Sequence, residues 1–507
     1  MKVKPAYSGL MLLIARNLSL ITGFLFTLLV VRSLSLQEFG DFQFVSSLLY
    51  YFTFPSLIVT YWALRDSARG EFNLKSSLSL SLILGVFFFL LFLLSSSPSS
   101  QILKIDYLLF FVASFQIFVI YLLKVMESSA LGRNPSLEAF SLIILEVSKL
   151  AFGFYLLRFL NYGILGALIS IIMAQLIQAL ILLYKFRPLL KIAINKGLFK
   201  KWITLAWLPL FSNLSYLILN LDAVIVSLIT LDTNSLALYK ASLSLTQVIY
   251  NISIFSVPLY PFLLAGGKVK YSNSMLKISL LLSTPATIAL IVLAEPLLYL
   301  LRPDYIIASN GLRILSLAAL IMVLSNFFEI VILGKERVDV EKDSKLKDYL
   351  ASKLFKIPLI NLISNTIYLS LLAFISFFLV LNRSYEPMNL MEYWSLITLF
   401  SYLMAFLVKF RIVKREQKIS INFGSWLKYS LASLPMALAL YLYKINLNMN
   451  LRFFPLLSHL TVMTILGLVI YSVVLFLIDD EFRELAKNLL IKFKIFLTKH
   501  EEEKIES

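Results

Sequence analysis

Apolar residues run through this chain in long blocks, without the alternation of a half-exposed strand or the narrow stripe of a surface helix. Fourteen blocks lie near residues 9–31, 42–64, 76–95, 106–130, 136–159, 163–184, 203–230, 236–265, 275–301, 306–334, 357–381, 391–413, 424–445 and 452–478. Each can form a helix that crosses a hydrocarbon layer roughly 30 Å thick, where backbone polar groups must bond within the segment. The pattern predicts an all-α integral membrane protein with about 14 transmembrane helices. The first block carries Arg16 and Asn17 in its middle and lacks a small-residue cleavage site, so it reads as a retained helix rather than a leader.

The gaps between blocks alternate in charge. Gaps after even-numbered blocks, counted with the adjoining block ends and both termini, hold thirty-four of the 46 lysines and arginines, whereas gaps after odd-numbered blocks, counted likewise, hold seven. Basic loops stay on the cytoplasmic side, which predicts an N-in, C-in topology. The gaps of the other side are short, as in SLSLQEFGD and SSSPSSQ, too short to fold an outer domain. Two cytoplasmic gaps are longer: 185–201, KFRPLLKIAINKGLFKK, and 335–356, with seven basic and five acidic residues. After Leu477, residues Phe482, Leu485, Leu489, Phe493 and Phe496 share a helical face, predicting an amphipathic tail on the inner membrane surface.

Composition narrows the function classes. Of 507 residues, 59% are hydrophobic and 15% charged, against about 45–50% and about 25% in soluble domains, which excludes a water-soluble enzyme. With no cysteine, disulfides, iron–sulfur clusters and thiolate zinc sites are excluded, and two histidines, His459 and His500, make no histidine metal cluster. No cofactor is expected. The net charge of +17 marks a cytoplasmic membrane face and not a nucleic-acid partner.

Charges inside the blocks are few, and each costs about 2.5–3.5 kcal/mol at mid-membrane unless it meets a partner or water. Arg16 lies deep in the first block beside Asn17, Ser19 and Thr22, as a cavity-facing cation or a structural ion pair. Glu146 and Lys149, like Lys124 and Glu127, are three residues apart and share a helical face. Either pair is a buried salt bridge, or one acid titrates with a coupling ion, Glu146 being the deeper. Asp222, near Asn213, Ser215 and Asn220, serves packing or binds a proton or sodium ion. Lys240 either snorkels to the interface or lines a cavity, and Arg313 faces a lumen or a neighbouring helix. Glu138 reads as interfacial, and Glu329 as a partner of Lys335 or of water. Pro55, Pro209, Pro258, Pro261 and Pro285 interrupt blocks and permit bends, as static kinks or as hinges.

Three stretches carry a family resemblance: RSLSLQEFGDF after the first block, LDTNSLALYKASLSL after the seventh, with Asp222 eight residues before Thr230, and RPDYIIASNGLRILSLAAL after the ninth. On this frame they resemble the polysaccharide transporter family, the Wzx-like flippases of the multidrug/oligosaccharidyl-lipid/polysaccharide (MOP) exporter superfamily. The resemblance implies two six-helix lobes, residues 1–184 and 203–413, joined by a linker at 185–202. Two further helices would follow in 414–478, then the tail at 479–507. It also implies a multi-pass cell-membrane transporter, not an enzyme, that moves polyprenyl-diphosphate-linked oligosaccharide from the inner to the outer leaflet by alternating access. The partners it implies are the lipid-linked glycan, membrane lipids and H+ or Na+ as coupling ion. Arg16, the best match to family arginines near the diphosphate, would line a basic cavity with Lys149, Lys240 or Arg313. Glu146 and Asp222 would be the coupling-ion candidates. Arginine suits this task, because its forked donors match phosphate oxygens while its charge persists.

Two rivals remain. A drug or metabolite exporter of the same superfamily would need lumen acids to bind organic cations. An integral-membrane glycosyltransferase would need acids gathered on an outer loop, whereas Glu38, Asp41, Asp232 and Asp304 fall on separate gaps. No GxxxxGK[ST] loop occurs, so the chain does not hydrolyse ATP.

Overall fold

A computed structural model of the chain describes residues 5–484 except 72, 265, 269, 337, 339–345, 418–422 and 449–450. The first ten helices are α1 (Pro5–Ser33), α2 (Leu36–Thr53), α3 (Leu57–Ala68), α4 (Leu74–Leu103), α5 (Tyr107–Arg133), α6 (Pro135–Phe154), α7 (Gly163–Phe186), α8 (Lys196–Thr204), α9 (Trp207–Ser212) and α10 (Leu214–Thr230). The rest are α11 (Asn234–Tyr250), α12 (Leu259–Leu264), α13 (Lys270–Val292), α14 (Ala294–Leu301), α15 (Ser309–Leu333), α16 (Leu346–Ala351), α17 (Lys353–Leu381), α18 (Pro387–Gln417), α19 (Phe423–Ile445) and α20 (Phe453–Ile478).

Among the described residues twelve helices are long and apolar enough to cross a membrane. A thirteenth is counted if Lys196–Phe211 and Leu214–Thr230, bent by 68°, form one broken span. The remaining expected span, 424–445, is helical as α19 but is not among those twelve. The spans turn large apolar side chains outward, as with Leu94 at 71% and Phe454 at 77% exposure, a surface suited to lipid and not to water.

Local chemistry explains the breaks. In the gap SLSLQEFGD, Ser35 opens α2 with a capping box: its hydroxyl accepts from the Glu38 amide at 3.2 Å while the Glu38 carboxylate accepts from the Ser35 amide at 2.7 Å. Pro55 sits in a 3-10 turn, Phe54–Ser56, between α2 and α3, and Pro258 follows another, Asn251–Ser256, ahead of α12. Pro209 lies in α9, at the 68° bend, whereas Pro285 is carried inside α13.

The helices form two compact units, residues 1–244 with 358–397, and 245–357 with 398–507. In the first, α1 packs along α6, α4 along α5, and α7 against both α5 and α6. Polar bonds join these helices; Ser81, fully buried, donates to the Tyr121 carbonyl at 2.7 Å. The basic stretch expected as a linker contains α8, whose Trp202 is buried against Val59, Trp62 and Leu182. In the second unit α13 packs on α15 and α19, and α19 on α20, with the Tyr471 hydroxyl donating to the Leu281 carbonyl at 2.8 Å. The expected amphipathic tail lies outside the described residues beyond Glu484, as do residues 337 and 339–345 of the charged segment 335–356.

Candidate functional site

The first polar node forms where α1 meets α6. Helical spacing puts Ser19 and Thr22 on one face of α1, and Glu146 and Lys149 on one face of α6. Ser19 and Thr22 each donate a hydroxyl to the Glu146 carboxylate at 2.7 Å, and the Lys149 ammonium lies 2.7 Å from Oε2. Glu146, only 5% exposed at the side chain, is thus held by three donors, and Lys149 also lies 5.6 Å from the Phe26 ring centre. Arg16, one turn before Ser19 on α1, is exposed, and its charge reaches Glu138 of α6.

A parallel network ties α5, α6 and α7. Lys124 pairs with Glu127 at 2.8 Å, and Gln178 donates to the other Glu127 oxygen at 3.0 Å and to Ser141 at 3.2 Å. Glu138, expected at the interface, is half-buried, and among the described residues its Oε2 is buried with no hydrogen-bond donor.

The second node surrounds Asp222 of α10. The Tyr368 hydroxyl of α17 donates to Oδ2 at 2.9 Å, and the Lys240 ammonium of α11 stands 3.8 Å from Oδ1. Trp394 of α18 donates its indole N–H to Tyr368 at 2.6 Å and stacks on Tyr239, ring centres 4.1 Å apart and 10° from parallel. Lys240 therefore turns inward to a carboxylate and does not simply snorkel. Tyr368 and Trp394 escape a charge inventory; the signal that could find them is a polar-tipped aromatic inside an apolar block.

Two acids from separate gaps, Asp41 and Asp232, come near one another in the first unit. Asp41 accepts from the Thr233 hydroxyl at 2.7 Å, and Asp232 accepts from the Tyr385 hydroxyl at 2.6 Å. Burial and the Asp232 carboxylate push the Tyr385 phenol above its ordinary range, so it remains a donor at neutral pH. These acids are occupied in structural bonds, and among the described residues no group of three or more His, Cys, Asp or Glu is arranged to hold a metal.

In the second unit Arg313 binds Glu295, whose other oxygen lies 2.5 Å from Lys444, and Arg313 also donates to Asn310 at 2.7 Å. Neither Glu295 nor Lys444 is signalled by sequence as a partner of Arg313. Glu329 pairs at 2.7 Å with Lys409, an ammonium 3% exposed that also donates to Ser325 at 3.1 Å, a partner the sequence does not name beside Lys335 or water. Lys409 reaches Glu329 because α18 runs beside α15, which sequence spacing does not reveal. An apolar groove of about 510 Å³ runs between α13 and α14 on one side and α19 and α20 on the other, lined by Leu281, Ala289, Leu297, Leu440, Met463 and Tyr471 among others.

No family model and no curated protein matches the chain by sequence. Its fold matches solved transporters. A structure of the lipid II flippase MurJ in an inward closed conformation aligns over 94% of this chain and 100% of its own, with TM-score 0.70 and 15% identity. An inward-facing multidrug resistance MATE family transporter of the MOP superfamily aligns over 79% of this chain and 96% of its own, with TM-score 0.58 and 13% identity. A MATE in the straight conformation aligns over 82% and 96%, with TM-score 0.50 and 13% identity. The chain is a multi-pass membrane protein with this helical fold.

Proposed function

We propose that the protein is a cell-membrane flippase that moves a polyprenyl-diphosphate-linked oligosaccharide from the inner to the outer leaflet by alternating access of two lobes. The observation that carries this reading is the apolar groove between α13, α14, α19 and α20, whose lining suits an alkyl or prenyl chain and offers little to a water-soluble solute. The fold shared with a lipid II flippase along nearly the whole chain supports it.

Charge supports it too. Of the four cations that would meet the diphosphate, Lys149, Lys240 and Arg313 each face a carboxylate, whereas Arg16 has no carboxylate within 4.0 Å among the described residues. Arg16 is the cation we assign to the head group; the other three shape the field around it. The same pairing weighs against an exporter of organic cations, since Glu146 and Asp222 each have a lysine beside them. Their oxygens are satisfied, so Glu146 and Asp222 serve as structural anchors ahead of ion coupling in this reading.

The test is a flipping assay in proteoliposomes with a fluorescent polyprenyl diphosphate, paired with deletion of the gene in its native host. Deletion should leave lipid-linked glycan at the inner leaflet. Arg16→Ala should lower flipping by tenfold or more while the protein remains folded in the membrane; flipping at the normal rate would overturn the reading. Drug sensitivity alone on deletion would favour the exporter.

A further inference from the structure

Three glutamates are packed among α1, α5, α6 and α7, and their surroundings differ in one respect. Glu146 receives two hydroxyls and an ammonium, and Glu127 receives Lys124 on one oxygen and Gln178 on the other. Both carboxylates have a donor on each oxygen. In Glu138, Oε2 is sealed from solvent and receives no donor among the described residues. Gln178, wholly buried on the adjoining α7, likewise holds an oxygen, Oε1, with no donor. A buried carboxylate oxygen without a donor is costly as an anion, and a proton relieves that cost by neutralising the group and making it a donor.

The charged groups around Glu138 are Arg16 from α1 and Lys124 and Glu127 from α5, and the adjoining α7 carries the uncharged, buried Gln178. Lys124 is already bound to Glu127 at 2.8 Å, so its charge is shared. Arg16 is the adjustable member: it is exposed and belongs to a different helix.

We infer that Glu138 takes up a proton when Arg16 engages an anionic head group, so that substrate loading and proton binding favour one another. This rests on the assignment of Arg16 to a diphosphate. The step is a simple protonation: the half-buried carboxyl group gains one proton from bulk solvent as the arginine's field is drawn to the phosphate oxygens. It returns the proton when the head group leaves. Linkage makes the effect reciprocal, so protonated Glu138 strengthens anion binding at Arg16. Loss of a nearby opposite charge moves a carboxyl's proton affinity by about tenfold or more.

Dicyclohexylcarbodiimide modifies carboxyl groups that are protonated within a membrane, and peptide mass spectrometry locates the adduct. The full chain in lipid nanodiscs, as wild type, Arg16→Gln and Arg16→Lys, is to be labelled across a pH series with no addition, with farnesyl diphosphate, and with inorganic pyrophosphate. Binding is followed separately by calorimetry. Arg16→Gln should raise Glu138 labelling about tenfold at a fixed pH, Arg16→Lys should keep it low, and Glu146 and Glu127 should stay unlabelled. Farnesyl diphosphate should raise Glu138 labelling in the wild type and not in Arg16→Gln. An equal rise with pyrophosphate would identify the diphosphate itself as the trigger, and a rise with farnesyl diphosphate alone would require the lipid; both support the linkage. Equal labelling in wild type and Arg16→Gln overturns it, as does labelling of Glu146 on a par with Glu138. If farnesyl diphosphate binds without changing the labelling, the inference fails while the flippase reading stands. If it does not bind, both fail.

Discussion

Gly40 of α2 is packed so closely on Thr233 that a Cβ at that position would lie 2.3 Å from the Thr233 carbonyl oxygen. Beside this contact the Thr233 hydroxyl donates to Asp41 at 2.7 Å. The two stretches quoted for the family resemblance, after the first and the seventh block, therefore meet through a glycine that the close backbone approach requires.

Substituting Gly40 tests the contact. Gly40→Ala must push the α11 entry away or distort α2, with an expected cost of about 1–3 kcal/mol. Thermal unfolding of the purified protein in detergent measures it. The chain has no cysteine, so engineered pairs across this contact report its closure without background. A Gly40→Ala protein as stable and as cross-linkable as the parent would show that the approach is not tight.

The Asp222 node should respond asymmetrically. Lys240→Met leaves a carboxylate that is 6% exposed without its cation, whereas Asp222→Asn keeps an acceptor for Tyr368 and leaves a lysine 17% exposed that can turn outward. Lys240→Met should therefore destabilise by about 3 kcal/mol or more and Asp222→Asn by less. The order of the two melting temperatures decides the matter.

The same logic reverses the order for the pair in the second unit. Here the cation is the deeper partner, Lys409 at 3% against Glu329 at 28%. Glu329→Gln strands a buried ammonium and should cost more than Lys409→Met, again by about 3 kcal/mol for the worse of the two. A double substitution should recover part of the loss, and a double-mutant cycle reads the coupling.

Filling the apolar groove separates its function from its architecture. Ala289→Phe places a ring in the cavity of about 510 Å³ without removing any polar partner. Flipping of a fluorescent polyprenyl diphosphate should fall at least tenfold, with unfolding temperature unchanged or raised. Unimpaired flipping would show that no lipid chain enters there.

Much of the architecture was legible in advance because a membrane leaves few alternatives. An apolar block of about twenty residues must satisfy its own backbone, so it becomes a helix whatever its neighbours do. Pairs within one helix were equally legible: Glu146 with Lys149 and Lys124 with Glu127 follow from the turn of the α-helix. The start of α2 at Leu36, ahead of the block expected from 42, is set by the Ser35 and Glu38 capping box and not by hydropathy.

What sequence could not supply was the partner of a charge on another helix. Arg313 was visible as an intramembrane cation, yet its binding to Glu295, and the second cation Lys444 from far along the chain, depend on where α14, α15 and α19 lie. Asp222 was visible, but the hydroxyl of Tyr368 and the indole of Trp394 were two more polar tips in apolar helices. The sequence by itself determined most of the spans, the cation-rich gaps and the short list of intramembrane ionisable groups, because hydropathy and helical spacing are local. Only the tertiary structure decided which of those groups are satisfied, as Glu146 is, and which keep an oxygen without a donor among the described residues, as Glu138 does, because a buried charge is stabilised by donors that distant helices bring to it.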